Sequence, residues 1–217
     1  MSIQNLLTQL LQSGVAQVER ARDSGDLAKY STGAAVGGAL AVLLGTQRGR
    51  RIGGTALKLG SIAAIGALAW KAYQDHQAQQ QPTSAPPAPA ATGFEALPAP
   101  QLELHSQAML KAMIAAAKAD GHMDDRERGL VEAELKRLDA DPAARRWVED
   151  ELRRPVEPAE VARSASSPEM GAEIYLASVL VADETTTMER AYLDELARQL
   201  KLAPELKADL EARARAG

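Results

Sequence analysis

The sequence predicts an all-α protein, and three features of its 217 residues favour that fold class. Aromatic residues make up only 3% of the chain while hydrophobic residues make up 46%. Alanine and leucine must therefore fill the interior, which favours closely packed helices over sheets rich in aromatic and β-branched residues. Apolar residues also recur at helical spacing, and prolines directly follow Asp141 and Ser167, as they do at the first position of many helices.

Composition and charge exclude several classes of function. The chain has no cysteine, which rules out disulfides, thiolate metal sites and cysteine nucleophiles. Residues 101–217 carry 17 Lys+Arg against 24 Asp+Glu, a net charge of −7, while residues 1–100 carry 8 against 5. Because nucleic-acid binding needs a cationic face, no nucleic-acid partner is expected. The N-terminus lacks the basic and apolar regions of a cleavable signal peptide.

Residues 1–30 form the first segment, and their apolar pattern predicts an amphipathic helix. Its apolar positions recur every three or four residues, and no charge precedes Glu19: Ile3, Leu6, Leu7, Leu10, Leu11, Val15, Val18. Such a helix can lie on a membrane or pack against other helices. The absence of Lys and Arg before Arg20 removes the attraction of the apolar stripe to anionic lipid, so packing is the favoured interpretation.

Residues 31–75 form a hydrophobic segment with a regular stripe of small residues. Together with Ala41, five glycines fall every four residues: Gly33, Gly37, Gly45, Gly49, Gly53. This glycine-zipper pattern predicts self-association through close helix packing. Two apolar runs, 31–47 and 52–70, lie near the lower length limit of about 17 residues for a membrane-spanning helix. Each glycine in a water-exposed helix lowers the stability of the helix by about 1 kcal/mol relative to alanine. We therefore expect membrane association, with a soluble hairpin as the alternative.

Residues 76–101 contain six of the 11 prolines and predict an extended linker. Residues 102–217 then form a helical domain with two related halves. We predict about seven helices in it, at 102–119, 125–138, 142–153, 158–165, 168–182, 187–201 and 204–215, because prolines and polar caps mark their starts.

The domain contains an internal repeat. Each copy includes an acidic turn between two helices, which we call an acidic corner. The stretch "AKADGHMDDRERGLVEAELKRL" aligns with "LVADETTTMERAYLDELARQL", so that Asp120 matches Asp183. Each copy then restarts a helix with a capping-box pair, first Asp124 with Glu127 and then Thr186 with Glu189. Gly121 is predicted to adopt the left-handed conformation that ends the first helix. The acidic residues therefore have a structural explanation as helix caps.

A divalent-cation site is the alternative interpretation of the same corner. An EF-hand loop starting at Asp120 fails, because position 6 is Asp125 rather than glycine and position 12 is Val131 rather than Glu. A looser Ca²⁺ or Mg²⁺ site, shared by Asp120, Asp124 and Asp183, remains an alternative if the two corners meet in space.

Several of these motifs resemble a known family. "AAAKADGHMDDRE" is similar to the signature of TerB-like domains, the helical domains of tellurite-resistance proteins. The whole arrangement, with "RRPVEP" at 153–158 and "MERAYLDEL" at 188–196, resembles the uncharacterised YebE-type family, domain of unknown function 533. The resemblance implies an all-α protein of the bacterial inner membrane, with its globular domain in the cytoplasm. It also implies suspected metal-binding positions, carried over as Asp120, Asp124, Glu127, Asp183 and Glu189. The second copy of the repeat departs from the family pattern at 184–187, where the glycine and one acid are missing. Equal metal binding by the two copies is therefore not expected.

No catalytic motif is present in the sequence. "GRRIGGT" lacks the lysine of a phosphate-binding loop, HExxH and GxSxG are missing, and His76, His105 and His122 are far apart. We therefore expect no enzyme and no cofactor, apart from Ca²⁺ or Mg²⁺ in the alternative. The expected function is a membrane-associated interaction or stress-response module with a protein partner still to be identified. The alternative is a cation sensor, and a metal-dependent enzyme ranks third.

Overall fold

The computed structural model describes residues 2–11, 62–80, 98–121, 125–182 and 186–216. These residues contain nine helices and no strand, which confirms the all-α prediction for this part of the chain. In chain order the helices are α1 (residues 3–11), α2 (Ile62–Gln80), α3 (Ala99–Ala117), α4 (Asp125–Arg137), α5 (Pro142–Arg153), α6 (Pro158–Ala162), α7 (Pro168–Val181), α8 (Thr187–Gln199) and α9 (Pro204–Ala216).

The helix starts follow the proline and cap pattern of the sequence. Helices α5, α6, α7 and α9 each begin at a proline. The Asp141 carboxylate accepts the N–H of Ala143 at 2.8 Å, and the Ser167 hydroxyl accepts the N–H of Met170 at 3.2 Å. These bonds satisfy backbone donors that have no partner within the helix. Helix α6 ends at Ala162, three residues earlier than predicted.

Helix α7 lies at the centre of the fold. All residues from 170 to 180 are buried, as expected of a helix that is apolar on every side. Helices α2, α3, α8 and α9 pack against it. The Tyr175 ring is fully buried, and its hydroxyl donates to Glu211 Oε1 at 2.7 Å on α9. Helix α5 packs on α3 and α4, and α6 packs on α3 and α8.

Helix α1 belongs to the same hydrophobic core. Its apolar stripe, residues 3, 6, 7, 10 and 11, is buried with the residues of α7 and α3. The Glu103 carboxylate on α3 accepts the N–H groups of Ile3 and Gln4 at 2.8 and 3.2 Å. A carboxylate at this position satisfies free helix donors and complements the helix dipole. Val15 and Val18 lie outside the described residues.

Helix α2 packs on α7 and α9 through Ile65, Ala69 and Ala72. It extends over residues 76–80, and α3 includes residues 99–101, so both ends of the predicted linker are helical. The run of alanine and glutamine after His76 has adequate helix propensity, and prolines are tolerated in a first turn. No described helix is long and apolar enough to cross a membrane. The predicted glycine stripe at 33–53 and the linker core at 81–97 lie outside the described residues.

Candidate functional site

In the part of the chain that the structure describes, a groove of about 900 Å³ runs along one face of α3. We call it the α3 groove. Its walls come from α2, α3, α5, the segment between α6 and α7, and the first turns of α7. Its lining residues are Trp70, Gln101, Leu104, His105, Gln107, Ala108, Lys111, Trp147, Glu151, Arg154, Ser164, Ser166, Ser167, Glu169, Met170 and Glu173.

The spacing of residues along α3 explains how the groove forms. Positions 101, 104, 108 and 111 recur every three or four residues and therefore share one face of the helix. The opposite face, with Met109, Met113 and Ala116, is buried in the core. A second cavity of about 340 Å³ adjoins the groove and shares Lys111, Glu151 and Arg154 with it. One side of α3 is thus left open over several turns in the part of the chain that the structure describes.

A buried histidine–carboxylate pair forms part of the groove lining. His105 Nε2 on α3 lies 2.5 Å from Glu173 Oε2 on α7, and the two side chains are only 10% and 12% exposed. Helix α2 approaches this carboxylate at Gly66, where a Cβ atom would lie 3.5 Å from Glu173 Oε1. A buried carboxylate is costly unless it is bonded, so the pair ties α3 to α7.

A second buried carboxylate, that of Glu151, lies at the other end of the groove. Glu151 is 7% exposed and accepts a bond from Arg154 Nη1 at 2.8 Å. The Lys118 ammonium donates to the backbone carbonyls of Glu151 and Arg154 at 3.0 and 2.5 Å. Burial lowers the pKa of Lys118, with Glu151 opposing this shift and Arg128 adding to it. These bonds anchor the end of α5 and give the "RRPVEP" motif a structural role.

Both tryptophans of the chain line the α3 groove. Trp70 comes from α2 and Trp147 from α5, and the whole sequence contains no other tryptophan. The Trp70 ring also packs on Tyr73, with 6.5 Å between the ring centroids. At the rim, Leu104 is 65% exposed and is one of the two large apolar side chains that are exposed among the described residues. Eleven of the sixteen lining residues are polar or charged, so the groove combines some aromatic and apolar surface with many polar groups.

The acidic corner is described in part, and its second copy forms the predicted capping box. The Thr186 hydroxyl accepts the Glu189 N–H at 3.1 Å, while Glu189 Oε2 accepts the Thr186 N–H at 3.1 Å. Gly121 has the predicted left-handed conformation, with φ of 79°. Both predictions are confirmed.

The two corners approach one another in space. A Cβ atom at Gly121 would lie 3.3 Å from Met188 Cε, at the start of α8. Asp124, Asp183 and the side chain of Glu127 lie outside the described residues. Asp120 is partly buried, and the described residues contain no group of three or more His, Asp or Glu placed to hold a metal ion. The divalent-cation site therefore stays a prediction.

The α3 groove could not be predicted from the sequence, because its residues come from four separate stretches of the chain. His105 and Glu173 are 68 positions apart, and no local pattern links them. One signal was available, since Glu173 is the only charged residue of "MGAEIYLASVLV", a run apolar enough to be buried on all sides. An isolated carboxylate in such a helix requires a partner.

Comparisons with known proteins give a family but no activity. A family model described as "Protein of unknown function (DUF533)" matches residues 29–214. A relative from Yersinia enterocolitica, "Uncharacterized protein in ampR 5'region", is 30% identical over 105 residues, which cover 48% of this chain and 76% of that protein. No solved structure matches the chain.

Proposed function

We propose, from the premise that this chain belongs to the DUF533 family of proteins of unknown function, that it is a non-enzymatic binding module held at a membrane. The observation that carries the binding role is the α3 groove. Its volume of about 900 Å³ falls within the range of about 300–1,000 Å³ that is usual for ligand sites.

The polar groups of the groove favour binding over catalysis. The Glu173 carboxylate is bonded to His105, and the Glu151 carboxylate is bonded to Arg154. These groups hold helices together, so they are poorly placed to exchange protons with a substrate without loosening the fold. The Ser166 hydroxyl donates to Met170 Sδ, and Ser167 caps α7. The lining therefore offers a rigid, shaped surface.

Photo-crosslinking tests the binding role. We expect a photoreactive amino acid at position 104, on the groove rim, to form a specific adduct in cells that produce the full chain. Met188 provides a matched control, because it is also a large and exposed apolar residue, at 55%, and does not line the groove. Position 188 should give no such adduct.

The membrane tether rests on the N-terminal glycine stripe, which supports self-association as well as close packing in lipid. Replacing Gly37 by leucine is expected to weaken oligomers of the full chain in a crosslinking assay, because the larger side chain separates the packed helices. Gly38→Leu is the matched control, since Gly38 lies next to the stripe but outside it. Equal oligomer yields for both variants and the unmodified chain would contradict the proposal.

Divalent-cation sensing by a TerB-like domain is the second candidate function. The approach of Gly121 to Met188 favours it, because a shared site requires the two corners to meet. Calorimetric titration of Ca²⁺ and Mg²⁺ into the chain and its Asp120→Ala variant separates the candidates. Heat that is lost in the variant would support sensing, and no heat in either protein would exclude it.

A further inference from the structure

We infer that the α3 groove is a receptor for an organic cation, a ligand with an alkylammonium head group. This inference rests on the proposed binding role of the groove and adds the chemistry of the ligand. Three observations carry it: the aromatic walls, the carboxylates in the lining, and the apolar surface between them.

The aromatic walls supply the first argument. The chain has only two tryptophans, four tyrosines and one phenylalanine, yet both tryptophans line this one cavity. The face of an indole ring attracts cations, and each such contact contributes about 0.5–2 kcal/mol depending on desolvation. Trp70 and Trp147 therefore place two indole rings, the ring type that recognises ammonium groups, in the lining of the groove.

The charges of the lining supply the second argument. Three carboxylates face the groove: Glu151, Glu169 and Glu173. Glu151 and Glu173 are buried, at 7% and 9% exposed, and are already bonded to Arg154 and His105, so the carboxylate open to a ligand is that of Glu169. Glu169, in the first turn of α7, makes no ion pair or hydrogen bond with any described residue.

The position of the basic residues favours the same ligand. Lys111 and Arg154 lie where the groove meets the second cavity, and the Arg154 guanidinium is already bonded to Glu151. Trp70, Glu169 and Glu173, in contrast, line the α3 groove but not the second cavity. The net charge of −7 over residues 101–217 also attracts cations and repels phosphates and carboxylates over longer range.

The apolar lining indicates what accompanies the head group. Leu104, Ala108 and Met170 contribute apolar surface between the polar groups. The volume of about 900 Å³ exceeds that of a small ammonium ion, so a hydrocarbon portion is expected on the ligand. A free amphiphilic amine and a lipid head group share this chemistry.

The test is a titration of the full chain with choline, in which tryptophan emission is measured at each step. Because both tryptophans line the groove, the emission reports on its occupancy directly. We expect a saturable change with choline and binding at least about tenfold weaker with 3,3-dimethyl-1-butanol, the uncharged isostere of choline. Vesicles of phosphatidylcholine that compete with choline would support a lipid head group as the source. Vesicles without effect would support a free cation.

Two substitutions test the carboxylates. Glu169→Gln breaks no bond of the described structure and is expected to weaken choline binding about tenfold. Glu195→Gln is the matched control, because Glu195 lies on α8 outside the groove lining, and it should bind choline as the unmodified chain does. A flat titration, equal binding of the uncharged isostere, or equal affinity of both variants would overturn the inference. None of these results would remove a position-104 adduct, so failure of the ligand assignment is distinguishable from failure of the binding role.

Discussion

Replacing His105 by leucine is expected to lower the free energy of unfolding by about 3 kcal/mol at neutral pH, measured by chemical denaturation. The substitution leaves the Glu173 carboxylate buried between α3, α7 and Gly66 without its imidazole partner. Removal of one partner of a buried, bonded carboxylate is costly because the remaining carboxylate has lost both water and its hydrogen-bonding partner.

A double substitution and an exposed pair provide the controls. His105→Leu combined with Glu173→Leu removes the charge itself, so it should recover most of the lost stability. Arg198→Leu breaks the exposed Glu195–Arg198 pair on α8, and a much smaller loss of stability is expected there because water screens exposed charges. If the single and double His105 variants were equally unstable, the loss would come from packing rather than from charge.

Replacing Leu6 by alanine is expected to lower the free energy of unfolding by about 3 kcal/mol. The Leu6 side chain is fully buried in the core that α1 shares with α3 and α7. Loss of its methyl groups removes apolar burial and leaves a cavity, since the surrounding helices can relax only in part. Chemical denaturation, followed by circular dichroism of the full chain, measures the change.

Asn5→Ala is the matched control for Leu6→Ala, because Asn5 lies on the exposed side of α1. We expect it to change stability by less than about 0.5 kcal/mol. The comparison tests whether α1 packs on the helical core or lies elsewhere, for example on a lipid surface. Equal stabilities of the two variants would contradict the packing of α1.

Local signals account for most of the helix positions. Each proline of the C-terminal helices stands at a helix start, and the Thr186–Glu189 capping box forms as its spacing predicts. These features act within one turn of chain, so the sequence displays them directly. The sequence also predicts the apolar stripe of α1, since residues 3 to 11 show the three- and four-residue spacing of a buried helix face.

Long-range features could not be derived in the same way. The extension of α2 through residues 76–80 is helped by Asp75, which pairs with Arg213 of α9 at 2.7 Å across 138 positions. The groove lining likewise depends on how α2, α5 and α7 pack around α3. Packing of this kind is set by the sum of many contacts rather than by any short motif. The chemistry of Trp70 and Trp147 becomes visible only when both are placed in one cavity.

The groove and the tether suggest one arrangement of the chain. We propose that the Gly-rich N-terminal segment holds the protein at a membrane while the helical body presents the α3 groove to its ligand. Helix α2 connects the two parts, because it follows the glycine stripe in sequence and contributes Trp70 to the groove.

The binding role of the α3 groove is tested by the ratio of photo-crosslinked adducts at positions 104 and 188 of the full chain. A specific adduct is expected at Leu104 that disappears in a Trp147→Ala variant, and none at Met188, because only the first position borders the groove. Equal adduct yields at the two positions, unaffected by Trp147→Ala, would contradict a binding role for the α3 groove.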